Sequence, residues 1–370
     1  STPESGHTDR VRAVQVEGAN VQQAIAWALD ADADLALGLA ANFGWHWYTT
    51  MQAVLAWRIL TTALAQADSA PAEAVARARA LAGLVGVLAG HGDEAEALSE
   101  LALPIEEEIG DPVRLGWYCF LRASQRVFSS QATEAVAWLD RAQCWFDQAG
   151  DDHGLAAVDY QRGVAAGFLG DLDEARRLLQ RARDASRRNG NHMTLMAALA
   201  RLGEVAERDR RPDDAYAAWD ELRTLAGAAG VPALVTLGAA GMALVRIDTG
   251  DAGAATRLAD EAMAASRDGF SPVIGGYVLA AWGVVQAAYG DRLAGAERVE
   301  EAAGLFSRVG YHGGAAECWW RLSRVNARRG DNGDALRCAE QAVACAERGD
   351  DLVVRGQARA QLEEARKLAS

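Results

Sequence analysis

Glycine recurs at intervals of 40 residues along most of this 370-residue chain. One series contains Gly90, Gly170, Gly250, Gly290 and Gly330, with Thr50, Ser130 and Arg210 in its other places. A second series lies half an interval away and contains Gly110, Gly150, Gly190, Gly230 and Gly310, with Ala70, Phe270 and Asp350 in its other places. Because 37 of the 370 residues are glycine, eight places should contain about one glycine by chance, and each series contains five. The regularity predicts an array of repeats without a single central core.

Each half-repeat is a segment of about 16 to 18 residues that is rich in Ala, Leu, Arg and Glu and is closed by a glycine. Such a composition favours a helix roughly 25 Å long. The closing glycine can adopt the left-handed conformation in which many helices end. Asp171 follows Gly170 where it can cap the next helix, and Pro112 and Pro232 fit a first helical turn. The pattern predicts two helices per repeat, and the sequence has no alternating β-branched runs that would indicate strands.

Small residues occupy two further fixed places, where paired helices need to approach closely. The set seven residues before the turn comprises Gly83, Ala123, Gly163, Gly203, Ala243, Gly283 and Ser323. The set twelve residues after the turn comprises Ala102, Ala142, Ala182, Ala262, Ala302 and Ala342. Together with the turn glycine and an alanine five residues after it, this pattern resembles the tetratricopeptide repeat (TPR), here with a longer period. The resemblance implies an all-α fold, a right-handed α-α superhelix or TPR-like solenoid of about eight helix hairpins.

The predicted organisation has three parts. Residues 1–16 are expected to be a disordered or linker N-terminus, residues 17–31 a capping helix, and residues 32–370 one TPR-like solenoid domain. Asn20 is a suitable N-cap for the capping helix, and an apolar stripe follows it. A terminal helix differs from the internal ones because one of its faces has no neighbouring repeat to cover it.

The charge balance limits the partners that the chain can have. Its formal net charge of −14 repels phosphate backbones, so direct nucleic-acid binding is not expected. A basic segment at 176–188 and an acidic segment at 94–108 are both interpreted as solvated helix faces. The sequence predicts neither catalysis nor a cofactor. Lys367 is the only lysine, which excludes a phosphate-loop or Schiff-base lysine within the repeats.

Other chemical motifs are missing from the sequence. It contains no Gly-x-Ser-x-Gly elbow, no paired histidines at metal-ligand spacing and no Cys-x-x-Cys pair among its five cysteines. We therefore expect no enzyme activity and no metal site. The polar N-terminus lacks an apolar signal core, and the best apolar segment, 231–245, is short and interrupted by glycines. These features predict a cytoplasmic protein without a membrane partner.

The segment from Glu17 to Trp27 carries a second resemblance. It reads Glu, two residues, Asn, an aliphatic residue, two residues, Ala, an aliphatic residue, one residue, Trp, and the aromatic cluster Trp45, His46, Trp47 and Tyr48 follows it. Both features are similar to the start of the TPR region in AfsR-like and large LuxR-type transcription regulators of actinobacteria, which are signal-transducing ATPases with numerous domains (STAND). The resemblance implies a sensor region, with an upstream ATPase switch domain in the full-length protein.

In TPR arrays the first helix of each pair lines the concave surface at fixed phases before the turn. Carrying these phases over gives a candidate groove for a ligand or partner, with residues Trp47, Tyr48, Trp117, Phe120, Phe128, Tyr160, Phe168, Glu204, Glu207, Arg208, Tyr277, Glu317, Trp320 and Arg324. Aromatic anchors with a few fixed charges are typical of surfaces that bind a peptide or an amphipathic small molecule. We expect a peptide, small molecule or protein to bind in the concave groove.

Two sets of alternatives remain at the level of the sequence. Long helices bury more of each face, so the aromatic rings can instead form the packing between repeats, and the charged residues can be ordinary salt links. The whole array can instead be a constitutive TPR scaffold or adaptor, or a Rap-type peptide-receptor regulator, which shares the fold.

Overall fold

The computed structural model describes residues 3–49, 52–129, 131–266 and 271–369, with the backbone alone for 3–16, Trp45 and Thr49. Within these ranges the chain forms nineteen α-helices and no strand, which confirms the all-α prediction. The positions of Thr50, Ser130 and Phe270 in the glycine series lie outside the described residues.

Consecutive helices pack in adjacent pairs and form a TPR-like solenoid. The first nine helices are α1 Pro3–Ala31, α2 Ala33–Thr49, α3 Ala53–Gln66, α4 Ala72–Ala89, α5 Gly92–Glu100, α6 Leu103–Ile109, α7 Pro112–Phe128, α8 Ala132–Ala149 and α9 Asp152–Leu169. The other ten are α10 Leu172–Asn189, α11 His192–Arg208, α12 Pro212–Ala229, α13 Pro232–Thr249, α14 Ala252–Ala265, α15 Pro272–Tyr289, α16 Arg292–Arg308, α17 His312–Arg329, α18 Asn332–Ala346 and α19 Leu352–Ala369.

The turn glycines end helices as the sequence predicts. Every glycine of the two series except Gly290 has a left-handed backbone, with φ between 65° and 95°. At one such turn the N–H of Gly170 donates to the carbonyl of Ala166, and the Asp171 carboxylate accepts the N–H of Glu174 at 3.0 Å. One chain reversal therefore ends a helix and caps the next.

The small residues of the repeat mark the places where paired helices cross. A Cβ atom added to Gly203 would lie 2.5 Å from the Trp219 ring, and one added to Gly283 would lie 2.7 Å from the carbonyl oxygen of Gly295. The Ser323 hydroxyl donates to the carbonyl of Ala335 at 2.8 Å. These backbones approach so closely that a larger side chain does not fit between them.

The N-terminal helix differs from the expectation. The helix begins at Pro3, so residues 3–16, expected to be disordered or a linker, continue into the segment 17–31 as one helix. Proline is well suited to a first helical position, and no other proline interrupts the segment. Asn20 is consequently not an N-cap: it lies inside α1, where its amide donates to the Glu17 carboxylate at 2.7 Å.

The acidic segment 94–108 also differs from the expectation, in two ways. It forms two short helices, α5 and α6, because Pro104 lacks the N–H that a continuous helix would require. It is also not merely solvated. Glu106 is buried and accepts two hydrogen bonds from the Arg114 guanidinium, each at 2.9 Å, while Glu96 accepts one from Arg122 at 2.6 Å.

The superhelix is tight enough for distant hairpins to meet. Helix α4 contacts α15, and α9 contacts α19. In addition, the N–H of Thr133 at the start of α8 donates to the carboxylate of Asp350, between α18 and α19, at 3.2 Å and across 217 positions of sequence. The inner face of the array is therefore narrow, and residues from remote repeats lie close together there.

Helices α13 and α15 are long and apolar enough to cross a membrane by length and composition. In this fold, 72% of the α13 window and 56% of the α15 window are buried inside the protein. Helix α13 packs against α12, α14 and α15, which cover its apolar surface.

Substitutions on α15 test the close helix crossing. Gly283→Ala should lower the free energy of unfolding by roughly 1 to 3 kcal/mol, because the new methyl group would overlap the α16 backbone. Gly275→Ala on the same helix is the matched control. The nearest atom to its added Cβ is Leu305 Cδ1 at 4.0 Å, so this variant should be neutral or more stable. Urea unfolding followed by circular dichroism measures both, and equal effects would contradict the crossing geometry.

Arg210 is the only described residue other than glycine with a positive φ, at 54°. Arg210→Gly should raise the free energy of unfolding by roughly 0.5 to 1 kcal/mol, because removing the left-handed strain exceeds the extra entropy of glycine in the unfolded chain. Arg210→Ala removes the same charge and keeps the strain, so it should bring no such gain. Thermal unfolding of the two variants compares them directly.

Candidate ligand-binding site on the inner face

Two cavities and a polar contact region between them follow one another along the inner face of the superhelix. The first cavity, here called the aromatic chamber, has a volume of about 100 Å³. Its walls come from α2, α4, α7, α9, α11, α13 and α15, and its side chains include Tyr48, Leu88, Trp117, Phe120, Phe128, Tyr160, Met193, Ala197, Arg201, Glu204, Leu237 and Tyr277. Seven helices that are widely separated in sequence thus form one small apolar cavity.

The rings of α7 form one wall of the aromatic chamber. Trp117 and Phe120 are one helical turn apart and meet edge to face, with their centroids 5.4 Å apart. Trp117 also meets the fully buried Phe146 edge to face at 5.3 Å, so one side of its ring belongs to the core between helices. The rings of this wall therefore both line the chamber and hold the repeats together.

The aromatic chamber is also lined by hydrogen-bonded polar side chains. Arg201 donates to the Glu204 carboxylate at 2.6 Å, and the Tyr277 hydroxyl donates to the same carboxylate at 2.9 Å. The hydroxyls of Tyr277 and Tyr311 lie 3.1 Å apart. Burial raises the pKa of Tyr160 and of Tyr277. The phenols therefore remain neutral hydrogen-bonding groups at physiological pH, and they fix the charged pair in place.

Glu207 and Arg321 connect the middle of the array to its last third. Arg321 donates to Glu207 at 2.8 Å and to Glu317 at 2.7 Å, and the indole N–H of Trp219 donates to Glu207 at 2.7 Å. Helices α11 and α17, 114 positions apart in sequence, are thereby joined through buried charges. We call these four residues the polar neck, and little free volume remains beside it, about 20 Å³.

Glu207 and Glu317 share the guanidinium of Arg321, and their surroundings shift the two pKa values in opposite directions. Burial is the main cause that raises the pKa of Glu207, to about 7; the nearby negative charge of Glu317 contributes to this rise, and the attraction of Arg321 opposes it. The Arg321 guanidinium holds the pKa of the Glu317 carboxylate below its ordinary value in spite of burial. Glu207 is therefore the carboxylate that takes up a proton first.

The second cavity, here called the basic cavity, lies beyond the polar neck and has a volume of about 250 Å³. Its side chains include Glu207, Arg208, Arg210, Arg211, Asp248, Glu317, Trp320, Arg321, Arg324 and Gln357. Arg208 donates to Asp351 at 3.0 Å, and Arg324 lies 3.2 Å from Asp248. The Arg324 guanidinium lies over the Trp320 ring, 4.8 Å from its centroid.

The structure brings most of the predicted groove residues together along this inner face. Those that line the aromatic chamber, the polar neck or the basic cavity are Tyr48, Trp117, Phe120, Phe128, Tyr160, Glu204, Glu207, Arg208, Tyr277, Glu317, Trp320 and Arg324. Trp47 and Phe168 do not line them. Trp47 is fully buried beside Phe43, and Phe168 is buried against Tyr311 and Arg208, because the narrow superhelix packs these phases into its core.

Sequence reasoning missed several residues of the site, among them Arg201, Arg321, Tyr311 and Asp351. Arg201 and Arg321 occupy the same phase, nine residues before the turn position, and including that phase would have found both. Tyr311 and Asp351 lie in or next to the turns between hairpins and reach the inner face only because the superhelix is tight. No repeat phase gives a signal for these two.

The basic segment of α10 is an outer face with local ion pairs, as the sequence predicts. Arg177 pairs with Glu174, Arg181 with Asp159 at 3.0 Å, and Arg187 with Glu221 on the next pair of helices. Most of these side chains are about half exposed, so the pairs contribute little to stability. Within the described residues no group of three or more His, Cys, Asp or Glu side chains is placed to hold a metal ion.

Comparisons with known proteins identify the fold. No protein-family model and no curated protein sequence matches the chain. Among solved structures, a Rap protein complexed with competence and sporulation factor matches with a TM-score of 0.58 and 8% identity, over 91% of this chain and 99% of that chain. The Rap conjugation gene regulator of the plasmid pLS20, in complex with a Phr peptide, matches with a TM-score of 0.51 and 16% identity, over 90% and 97% of the two chains.

A third solved structure is a STAND protein with a tetratricopeptide repeat sensor from Pyrococcus horikoshii. It matches with a TM-score of 0.54 and 14% identity, over all of this chain and 56% of that chain. At these identities the likeness concerns the fold alone. The chain is thus a TPR-like α-solenoid, with the right-handed superhelix that its repeat pattern predicts.

The buried carboxylate of the polar neck makes stability depend on pH. Glu207 has a pKa of about 7 in the folded protein and about 4.5 when unperturbed, so the folded state binds more protons between these values. Its contribution to the free energy of unfolding should therefore fall as pH rises from about 4.5 to 7. Glu207→Gln should remove this dependence. Glu174 has its pKa lowered by a hydrogen bond from Arg177, so it titrates below this window, and the control variant Glu174→Gln should keep the dependence. Urea unfolding at a series of pH values tests both.

Proposed function

We propose that this chain is a non-catalytic ligand- or protein-binding sensor domain. The proposal rests on the aromatic chamber, where apolar rings from helices remote in sequence surround a cavity with one oriented ion pair, Arg201 and Glu204. Apolar walls with a few fixed polar groups are the usual make-up of a small-molecule or peptide site. A peptide, small molecule or protein segment would place an apolar group among the rings and a polar group on Arg201 or Glu204.

The full-length protein that we propose is a bacterial STAND-type transcription regulator of the AfsR-like or large LuxR-type group, located in the cytoplasm. The Glu17 to Trp27 pattern supports this assignment, as does the fold shared with a STAND tetratricopeptide repeat sensor. Trp27 is 65% exposed on α1, so part of this helix is open to contact with another module. An ATPase switch domain upstream of the chain would be its partner there.

The mechanism that follows is a shift between conformational states. The chamber walls come from α2 through α15, so a bound ligand contacts most of the array and favours the curvature in which these walls fit it best. It can move the attached switch only as far as its affinities for the two states differ. The charges of the chamber wall are already bonded to each other and to Tyr277, which suits orientation of a ligand rather than proton transfer.

Two rival functions share the fold. The first is a Rap-type peptide-receptor regulator, for which the similarity to two Rap structures bound to a peptide or factor is the supporting observation. The second is a constitutive TPR scaffold or adaptor. The coding sequence upstream of Ser1 distinguishes them: a Walker-type ATPase in the same reading frame supports the STAND sensor, and a start codon close to Ser1 supports the rivals.

Filling the aromatic chamber tests its role as the binding site. A thermal-shift screen against peptides and metabolites would supply binders, and titration calorimetry their affinities. Ala197→Phe places a ring inside the chamber and should weaken these binders at least about tenfold without removing any existing packing. Ala217→Phe adds the same ring to an exposed position of α12 and should leave binding unchanged. Equal affinities in the two variants would show that the ligand binds elsewhere.

A further inference from the structure

The basic cavity contains more arginine charge than its carboxylates neutralise. Asp248 is approached by three guanidinium groups, those of Arg324 at 3.2 Å, Arg328 at 3.9 Å and Arg321 at 4.0 Å. Arg210, on the same lining, forms no salt bridge with any described residue. Asp248 is therefore the one carboxylate that pairs with Arg324 and Arg328, and Arg210 adds a further positive charge to the lining.

The other charges of the cavity offset only part of this surplus. Arg321 is shared by Glu207 and Glu317, so the polar neck has one carboxylate more than it has arginines. Arg208 pairs with Asp351 at 3.0 Å, and Arg211 pairs with Asp214 at 2.6 Å. The remaining positive charge therefore lies on Arg210, Arg324 and Arg328, with Asp248 as their nearest carboxylate.

Repulsion between the arginines at this wall contributes to a lowered pKa of Arg324. Partial burial lowers the pKa of its guanidinium, and the like charges of Arg328, Arg321 and Arg210 lower it further, while Asp248 opposes them. Arginines that repel one another at the edge of a cavity gain free energy when an anion enters between them. The stacking of Arg324 on the Trp320 ring fixes the orientation of its guanidinium.

We propose that the basic cavity binds a compact dianion, the phosphate of a phosphate monoester or the carboxylates of a dicarboxylate. Arg324 and Arg210, which line the cavity, would donate to it, Arg328 beside Asp248 would add positive charge, and the Trp320 ring would support the organic part. A volume of about 250 Å³ has room for such a group with several further atoms. The polar neck separates this site from the aromatic chamber, so the proposal does not depend on the function proposed for the chamber.

Titration calorimetry with two probes tests the site, at an ionic strength held near about 0.15 M with sodium chloride. The probes are inorganic phosphate and malonate, and acetate serves as the monoanion of comparison. Wild-type protein should bind phosphate or malonate with a stoichiometry of one and acetate much more weakly. Whichever probe binds more tightly identifies the natural class as a phosphate ester or a dicarboxylate.

Two double variants test whether the excess of arginines in the basic cavity is responsible for phosphate or malonate binding. Arg324→Gln with Arg328→Gln should weaken the better probe at least about tenfold, because the pair removes a charge-assisted hydrogen bond and a nearby positive charge. Arg337→Gln with Arg359→Gln removes the same net charge from exposed arginines that each face one carboxylate, and binding should remain unchanged.

The outcomes separate this proposal from the one for the chamber. Absence of saturable binding for both probes, or equal weakening in the two double variants, would overturn the dianion site. Ala197→Phe should leave phosphate or malonate binding intact, since it changes the aromatic chamber alone. If no ligand of the aromatic chamber is found while phosphate or malonate still binds, the proposal for the chamber fails and the dianion site stands.

Discussion

The close approach of paired helices at positions without a bulky side chain is the constraint on which this structure depends. Gly283 lies so near the Gly295 carbonyl that even a methyl group would overlap it, and Gly203 receives the face of the Trp219 ring. Each crossing brings its helix pair to a short distance, and repetition of the same crossing winds the array tightly. Turn glycines with a left-handed backbone keep each chain reversal short enough for the next pair to follow.

Tight winding brings charged and aromatic residues from remote repeats onto one narrow inner face. A looser array would present these side chains to water as separate exposed rows. Here Glu207 meets Arg321 across 114 positions, and Arg208 meets Asp351 across 143 positions. Because the charges are buried, the loss of one partner would leave the other unpaired in a medium of low dielectric. The polar neck therefore both closes the superhelix and divides its interior into an apolar and a basic part.

This division has a functional consequence for a sensor. An apolar ligand group and an anion would bind in separate cavities, and only the basic cavity is lined by Glu207, Arg321 and Glu317. An anion there would alter the charge balance of the polar neck, and so the contact by which it joins α11 to α17.

The sequence by itself determined the all-α fold, the two-helix repeat, the glycine turns and the helix crossings, because each depends on local backbone conformation or on the size of a single side chain. It also placed most of the inner-face residues, since a fixed phase in a repeat gives a fixed direction. Tertiary structure alone decided that Trp47 and Phe168 are core residues and that Tyr311 and Asp351 reach the inner face. These outcomes depend on how far the superhelix closes, and that distance is the sum of many small rotations that no single repeat specifies.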